Sequence, residues 1–234
     1  MKRPASSSTG LRFENIDKRY GGLFALRNLT LEITPGECVA LAGRNGSGKT
    51  TLLRLAARLV RPSAGTLSFP SAEESWGKGR MHTGFVGHAT MVYDELTAEE
   101  NLTLFARLQA IPNPQTRVET LLREVGLSDR RSSLIRTFSR GMRQRVAIAR
   151  ALLQEPWVLL LDEPSTGLDP HGAAWLVGTL RRLCDAGCTM LMSLHGESEI
   201  SSLATRGIRL DAGRVVADTR TGATLQSILR FADS

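Results

Sequence analysis

The segment Gly43-Arg44-Asn45-Gly46-Ser47-Gly48-Lys49-Thr50 constrains this chain more than any other. It fits the pattern G-x-x-x-x-G-K-[ST]. Glycines at these spacings let successive backbone N–H groups turn inward around phosphate oxygens. The flanks supply the context the pattern requires. Before it, Cys38-Val39-Ala40-Leu41-Ala42 is a short apolar run, as in a buried parallel strand. After it, Leu52, Leu53, Leu55, Ala56 and Leu59 form one face of a helix predicted from Thr50 to Val60, with Pro62 as its stop. Such a helix aims its positive end at the same phosphates. Residues Gly43 to Thr51 are therefore the expected contacts for ATP. Lys49 suits the β and γ phosphates, and the Thr50 hydroxyl suits Mg²⁺.

Two further segments carry chemistry. Leu159-Leu160-Leu161-Asp162-Glu163 is an apolar strand ending in two acids. Open α/β sheets deliver ligand-binding groups at the C-terminal ends of their strands. That places Asp162 to support a Mg²⁺ shell through water and Glu163 to polarise a water for in-line attack on a γ phosphate. Alone, two adjacent acids also describe an ordinary surface turn; the glycine loop gives them meaning. Phe138-Ser139-Arg140-Gly141-Met142-Arg143-Gln144-Arg145 precedes a helix predicted from Gly141 to Gln154. Read by itself, Ser139 is an N-cap; with the N–H groups around Gly141 it is also a second phosphate-binding helix start.

The remaining pattern is α/β. Alternation at Leu29, Leu31 and Ile33 indicates strands within 11–33, Gly84-Phe85-Val86 a short strand, and Thr189 to Leu194 another. Thr97-Ala98-Glu99-Glu100 reads as a capping box opening a helix to about Gln109. Pro112 and Pro114 break it, and a further helix covers about 116–125, ending at Gly126. The stretch from about 92 to 153 is thus a helical insertion. Pro170 opens another helix that Gly187 closes, and Asp211-Ala212-Gly213-Arg214 is a hairpin turn. The expected organisation is a short disordered lead over 1–10 and one domain over 11–234.

Composition narrows the partners. No apolar run approaches the ~20 residues that span a bilayer, and Met1 to Gly10 lacks the apolar core of a signal peptide. Three cysteines, Cys38, Cys184 and Cys188, do not make a disulfide framework and fit a reducing compartment. Cys184 and Cys188 lie four apart without a second ligand pair, so they read as small buried hydrophobes. The net charge of +7 is mostly arginine, scattered along the chain rather than massed in a stripe. That pattern describes a solvated surface first, a membrane-protein partner second and nucleic acid last.

The three chemical segments, in this order, resemble an ATP-binding cassette (ABC) ATPase, over about residues 11–220. The resemblance implies a P-loop NTPase core (RecA-like, with a mainly parallel sheet), an N-terminal antiparallel β subdomain and an inserted helical subdomain. It implies that Tyr20 stacks on adenine, where a lone Tyr would otherwise be packing. It makes Ser165-Thr166-Gly167-Leu168-Asp169 the D-loop and His195 the switch histidine at the γ phosphate. Ser139 and Gly141 become the signature that binds ATP across a head-to-tail homodimer. A single cassette without a membrane span further implies a transmembrane permease on a separate chain, and a peripheral place at the cytoplasmic face of the membrane. ABC ATPases that act on nucleic acid carry coiled coils or zinc modules, and translation-type ones carry two cassettes. Neither pattern occurs here.

Two departures stand out. The family's Leu-Ser-Gly-Gly-Gln is Phe138-Ser139-Arg140-Gly141-Met142 here, keeping the Ser and the second Gly. Where the family carries Gln before its helical subdomain, this chain has His88, in Gly84-Phe85-Val86-Gly87-His88. A neutral His can accept from a metal-bound water, which makes His88 a candidate metal and catalytic residue; its plain alternative is a polar loop residue. With Tyr93 to Leu102 and Phe138 to Arg145, these stretches look like the ATPase of the haem exporter of cytochrome c maturation. Related exporters of drugs, polysaccharides or other lipophilic cargo share much of the same pattern.

Overall fold

The structure is a computed structural model that describes residues 10–69, 83–194 and 199–230. The lead at 1–9 and His195 lie outside the described residues.

β1 (Leu11–Tyr20) and β2 (Leu23–Ile33) form an antiparallel hairpin turned at Gly21-Gly22. Leu11, Phe13 and Ile16 are all fully buried, although two residues, not one, separate the last two. The register shifts between Phe13 and Ile16, and Asn15 there has φ 51°: a bulge returns the apolar side chain to the core face. β3 (Cys38–Ala42) follows, then α1 (Lys49–Ala56) and β4 (Ala64–Ser68), which pairs antiparallel with the free edge of β1.

The second sheet is built by β5 (Thr83–Val86), β6 (Val158–Asp162), β7 (Thr189–Ser193), β8 (Arg206–Asp211) and β9 (Arg214–Asp218) together with β3. Its spatial order is β5-β6-β7-β3-β8-β9, parallel except for the β8–β9 hairpin. Ala212 (φ 43°) and Gly213 (φ 78°) make that turn, the two positive φ values a tight hairpin requires.

Between β5 and β6 the chain forms α2 (Ala98–Leu108), α3 (Pro114–Glu124) and α4 (Arg140–Leu152); α5 (Pro170–Asp185) links β6 to β7, and α6 (Leu225–Arg230), not anticipated from sequence, packs on β8. Thr97 and Glu100 form the expected capping box, with Glu100 N donating to Thr97 Oγ1 at 3.1 Å and Thr97 N to Glu100 Oε2 at 2.8 Å. The bond from Thr97 N, with the Thr97 hydroxyl assisting, holds the Glu100 carboxyl below its usual range.

Pleating explains why the central strands read as unbroken apolar runs. Cys38, Ala40, Leu159, Leu161, Met190 and Met192 face one core, shared with α2 to α5. Val39, Leu41, Val158, Leu160 and Leu191 face the other, shared with α1 and the antiparallel sheet. Each Val, Leu or Met among them contributes about 1.5–3 kcal/mol by leaving water, and the two-sided burial fixes the sheet as the middle layer.

Two boundaries differ from expectation. α1 stops at Ala56, not Val60, because Arg58 takes φ 56°. Leu59 N then donates to Arg54 O and Arg58 N to Leu55 O, both at 2.9 Å, closing the helix as a Schellman motif without glycine. Pro114, expected as a breaker, is instead the first residue of α3, where its missing N–H costs nothing.

Candidate functional site

Gly43 and Gly48 hold the glycine loop in its shape. They have φ 142° and 109°, and a Cβ on Gly43 would sit 2.3 Å from Leu210 O, one on Gly48 2.7 Å from Ala25 O. Arg44, Asn45 and Gly46 form the exposed crest of the loop, and Gly48 is the N-cap of α1. Lys49 is buried, and its Nζ donates back to Gly43 O (2.5 Å) and Arg44 O (3.2 Å), across the loop's concavity. Burial lowers its pKa, with Glu163 and then Asp162 pulling it upward, so both acids act on the ammonium. Thr50 and Thr51 follow, half-buried, in the first turn of α1.

The acids stand at the end of β6. Ser193 Oγ, at the parallel-paired position on β7, donates to Asp162 Oδ1 at 2.6 Å. Asp162 Oδ2 is buried and has no partner among the described residues; the same holds for Ser47 Oγ in the loop. A buried carboxylate oxygen and a buried hydroxyl left unmatched are costly unless something polar meets them. Beside Lys49, the ligands that fit are a hydrated Mg²⁺ for Asp162 and a phosphate oxygen for Ser47.

Glu163 has φ 52°, and its N–H donates to Ser193 Oγ (3.0 Å) and Ser193 O (3.3 Å). Parallel pairing of Val86 with Leu161 puts residue 88 level with residue 163. Accordingly His88 Nδ1 lies 4.0 Å from Glu163 Oε2, with His88 exposed and Glu163 only partly so. Both line a cleft of about 410 Å³ with Met91, Arg140, Gln144 and Thr166.

The segment around Ser139 and Gly141 is fastened to residues 164–169 of its own chain. Ser139 caps α4, accepting from Met142 N at 3.2 Å. Gly141 packs so closely that a Cβ would meet Gly167 O at 2.7 Å. Gln144 donates to Pro164 O (3.1 Å) and Arg145 to Asp169 Oδ1 (3.0 Å). Asp169 also caps α5 by accepting from Gly172 N at 2.6 Å. Its carboxyl is held below the usual range by that backbone bond first, with Arg145 and His171 assisting against burial. Tyr20 is 47% exposed, with Lys18 Nζ 4.9 Å from its ring centroid.

The fold thus brings Lys49, Asp162, Glu163 and His88 to one end of the sheet. Arg140 and Gln144, from the segment that follows Ser139, share the cleft with Glu163 and His88, whereas no residue of 43–50 lines it. Sequence reasoning missed Ser193, Gln144 and Arg145. Only Ser193 had a signal, as the polar residue near the end of the strand expected from Thr189 to Leu194.

A glycine loop on α1, a buried lysine and two acids on the adjoining strand end define a P-loop NTPase. Residues 26–166 match the ABC transporter family. A daunorubicin resistance ATP-binding protein of Streptomyces coeruleorubidus is 36% identical over 217 residues, covering 91% of this chain and 68% of that protein. The Nod factor export ATP-binding protein I of Cupriavidus metallidurans is 36% identical over 222 residues, covering 93% and 73%. A dimeric ATP-binding cassette in a post-hydrolysis state, bound to ADP and Pi, superposes with TM-score 0.81 at 27% identity, covering 89% of this chain and 97% of that one. The chain belongs to the ABC transporter family: it is an ATPase, the ATP-binding subunit of a transporter. No helix among the described residues is long and apolar enough to cross a membrane.

Proposed function

We propose that this subunit powers export through a separate membrane permease, at the cytoplasmic face of the membrane, and that its cargo class is that of the haem exporter of cytochrome c maturation. One observation carries the reading. Two of the segments whose sequence resembles that exporter's ATPase meet in one place: Arg143 Nη1 donates to Asp94 Oδ1 at 2.7 Å. The same cleft holds His88 in place of the family's usual Gln.

In this reading the glycine loop wraps the β and γ phosphates, Lys49 swings from Gly43 O onto them, and Ser47 and Thr50 offer their hydroxyls. Asp162 Oδ2, its sister oxygen fixed by Ser193, supports the hydrated Mg²⁺. When bound, Mg²⁺ neutralises phosphate charge and fixes the triphosphate's geometry. Glu163 Oε2 takes a proton from the attacking water. His88 orients that water or reports its loss to the permease, His195 contacts the γ phosphate, and Tyr20 stacks on adenine. Asp169 acts at the dimer face together with Ser139 and Gly141. Mg²⁺, the dimer and the permease all belong to this proposal.

A second reading, another lipophilic cargo, is favoured by the relatives named for daunorubicin resistance and Nod factor export. The test is ATPase activity of the chain purified with its membrane partner, assayed with haem and with an anthracycline. Haem alone should raise turnover several-fold. Stimulation by the anthracycline and not by haem decides for the second reading.

A further inference from the structure

The cysteines take no part in the nucleotide site. Cys38 opens β3 and is buried, while Cys184 lies in the last turn of α5 and is half-buried. Far apart in sequence, their Sγ atoms are 3.5 Å apart and share a hydrogen bond. Cys184 Sγ also touches Met190 Sδ at 3.7 Å. Cys188 is buried and engaged elsewhere, its thiol donating to Pro156 O at 3.2 Å. A disulfide needs about 2.05 Å between sulfurs, so side-chain rotation at a helix end closes the gap between Cys38 and Cys184.

We propose that Cys38 and Cys184 are an oxidisable dithiol, with Cys184 attacking a peroxide and Cys38 resolving the product into a disulfide between β3 and α5. Cys184 is the solvent-accessible member. Its acidity agrees: the hydrogen bond with Cys38 is the largest influence lowering its pKa and Arg181 adds to it, against burial and Asp185. The same hydrogen bond, with burial, raises the pKa of Cys38 and keeps it a thiol. The Cys184 thiolate attacks one peroxide oxygen, the O–O bond breaks, and hydroxide leaves, giving a sulfenic acid. Cys38 sulfur then displaces the sulfenic hydroxyl; that hydroxyl and the Cys38 proton depart as water. The leaving hydroxide takes up the proton that Cys184 lost on ionising, so the pair loses two electrons and the peroxide becomes two waters.

The bond would sit at the start of β3, whereas the phosphate loop follows its other end. Oxidation should therefore leave ATP affinity unchanged while closing a loop of well over a hundred residues, which stabilises strongly. Purified protein is treated with hydrogen peroxide, denatured, alkylated with N-ethylmaleimide, digested and mapped by mass spectrometry. The expected result is a Cys38–Cys184 cross-linked peptide, two hydrogens lighter than its parts and reversed by dithiothreitol, with Cys188 alkylated. Melting temperature should rise by about 5 °C or more over reduced protein. Cys188→Ser should retain the cross-link and Cys184→Ser lose it. Wild-type protein in which Cys38 stays alkylatable while Cys184 advances to sulfinic acid, or in which Cys184 pairs with Cys188, overturns the proposal.

Discussion

Glu163 holds a left-handed backbone conformation that costs a residue with a Cβ roughly 1–2 kcal/mol. The two bonds from its N–H to Ser193 offset that cost and turn the side chain off the line of β6, toward His88. Strain retained where chemistry is expected is a reason to assign function there. Asp162, one residue earlier, stays on the strand and keeps one oxygen in reserve. Two neighbouring acids thus receive different surroundings, which is what the proposed division of roles asks for: Asp162 for the metal, Glu163 for the proton. Glu163→Gln keeps shape and hydrogen-bonding capacity but removes the base. Single-turnover hydrolysis should slow by ~10²–10⁴, with equilibrium ATP binding unchanged in a filter assay. Wild-type hydrolysis in that variant removes Glu163 from the proposed chemistry.

At the scale of elements, the helix ends show what sequence can and cannot announce. α3 and α5 finish at Gly126 (φ 68°) and Gly187 (φ 78°), both legible as glycine stops. α1 and α2 finish the same way at Arg58 and Ala110 (φ 47°), where nothing in the sequence marks the turn. For α2, Ala110 N donates to Arg107 O and Ile111 N to Ala106 O, both at 2.9 Å, and burial of Ala106 fixes the geometry from outside the helix. Ala110 is exposed, so Ala110→Gly should relieve the left-handed strain without losing packing. We expect a gain of about 0.5–1 kcal/mol, seen as a melting temperature raised by about 1–4 °C; a lower melting temperature contradicts this account of the cap. The site divides along the same line. Lys49, Thr50, Asp162 and Glu163 could be read because their chemistry is local in sequence, a loop or a strand end. The contacts of Ser193, Gln144 and Arg145 could not, because their partners Asp162, Pro164 and Asp169 are 20 or more residues away and only the assembled fold brings them close.

At the scale of the whole molecule, the two helix heads proposed to bind phosphate are separate parts of one chain. The glycine loop and Lys49 lie at the head of α1, while Ser139 and Gly141 lie at the head of α4, locked to their own D-loop by Gly167, Pro164 and Asp169. Those contacts tie the head of α4 to residues 164–169 as one ledge. In the dimer proposed above, a second copy turned head to tail presents its ledge to the glycine loop, and closed twofold pairing satisfies both sites at once. The Glu163→Gln variant, which binds ATP without spending it, should then shift from a 25.5 kDa species to one of twice that mass when ATP is added, by light scattering. Ser139→Asp in that background separates binding from pairing. Asp caps a helix as well as Ser does, so α4 survives, but its charge faces the partner's γ phosphate. The double variant should bind ATP with the affinity of Glu163→Gln and remain at 25.5 kDa. If it dimerises as readily as the single variant, Ser139 does not face the partner's nucleotide.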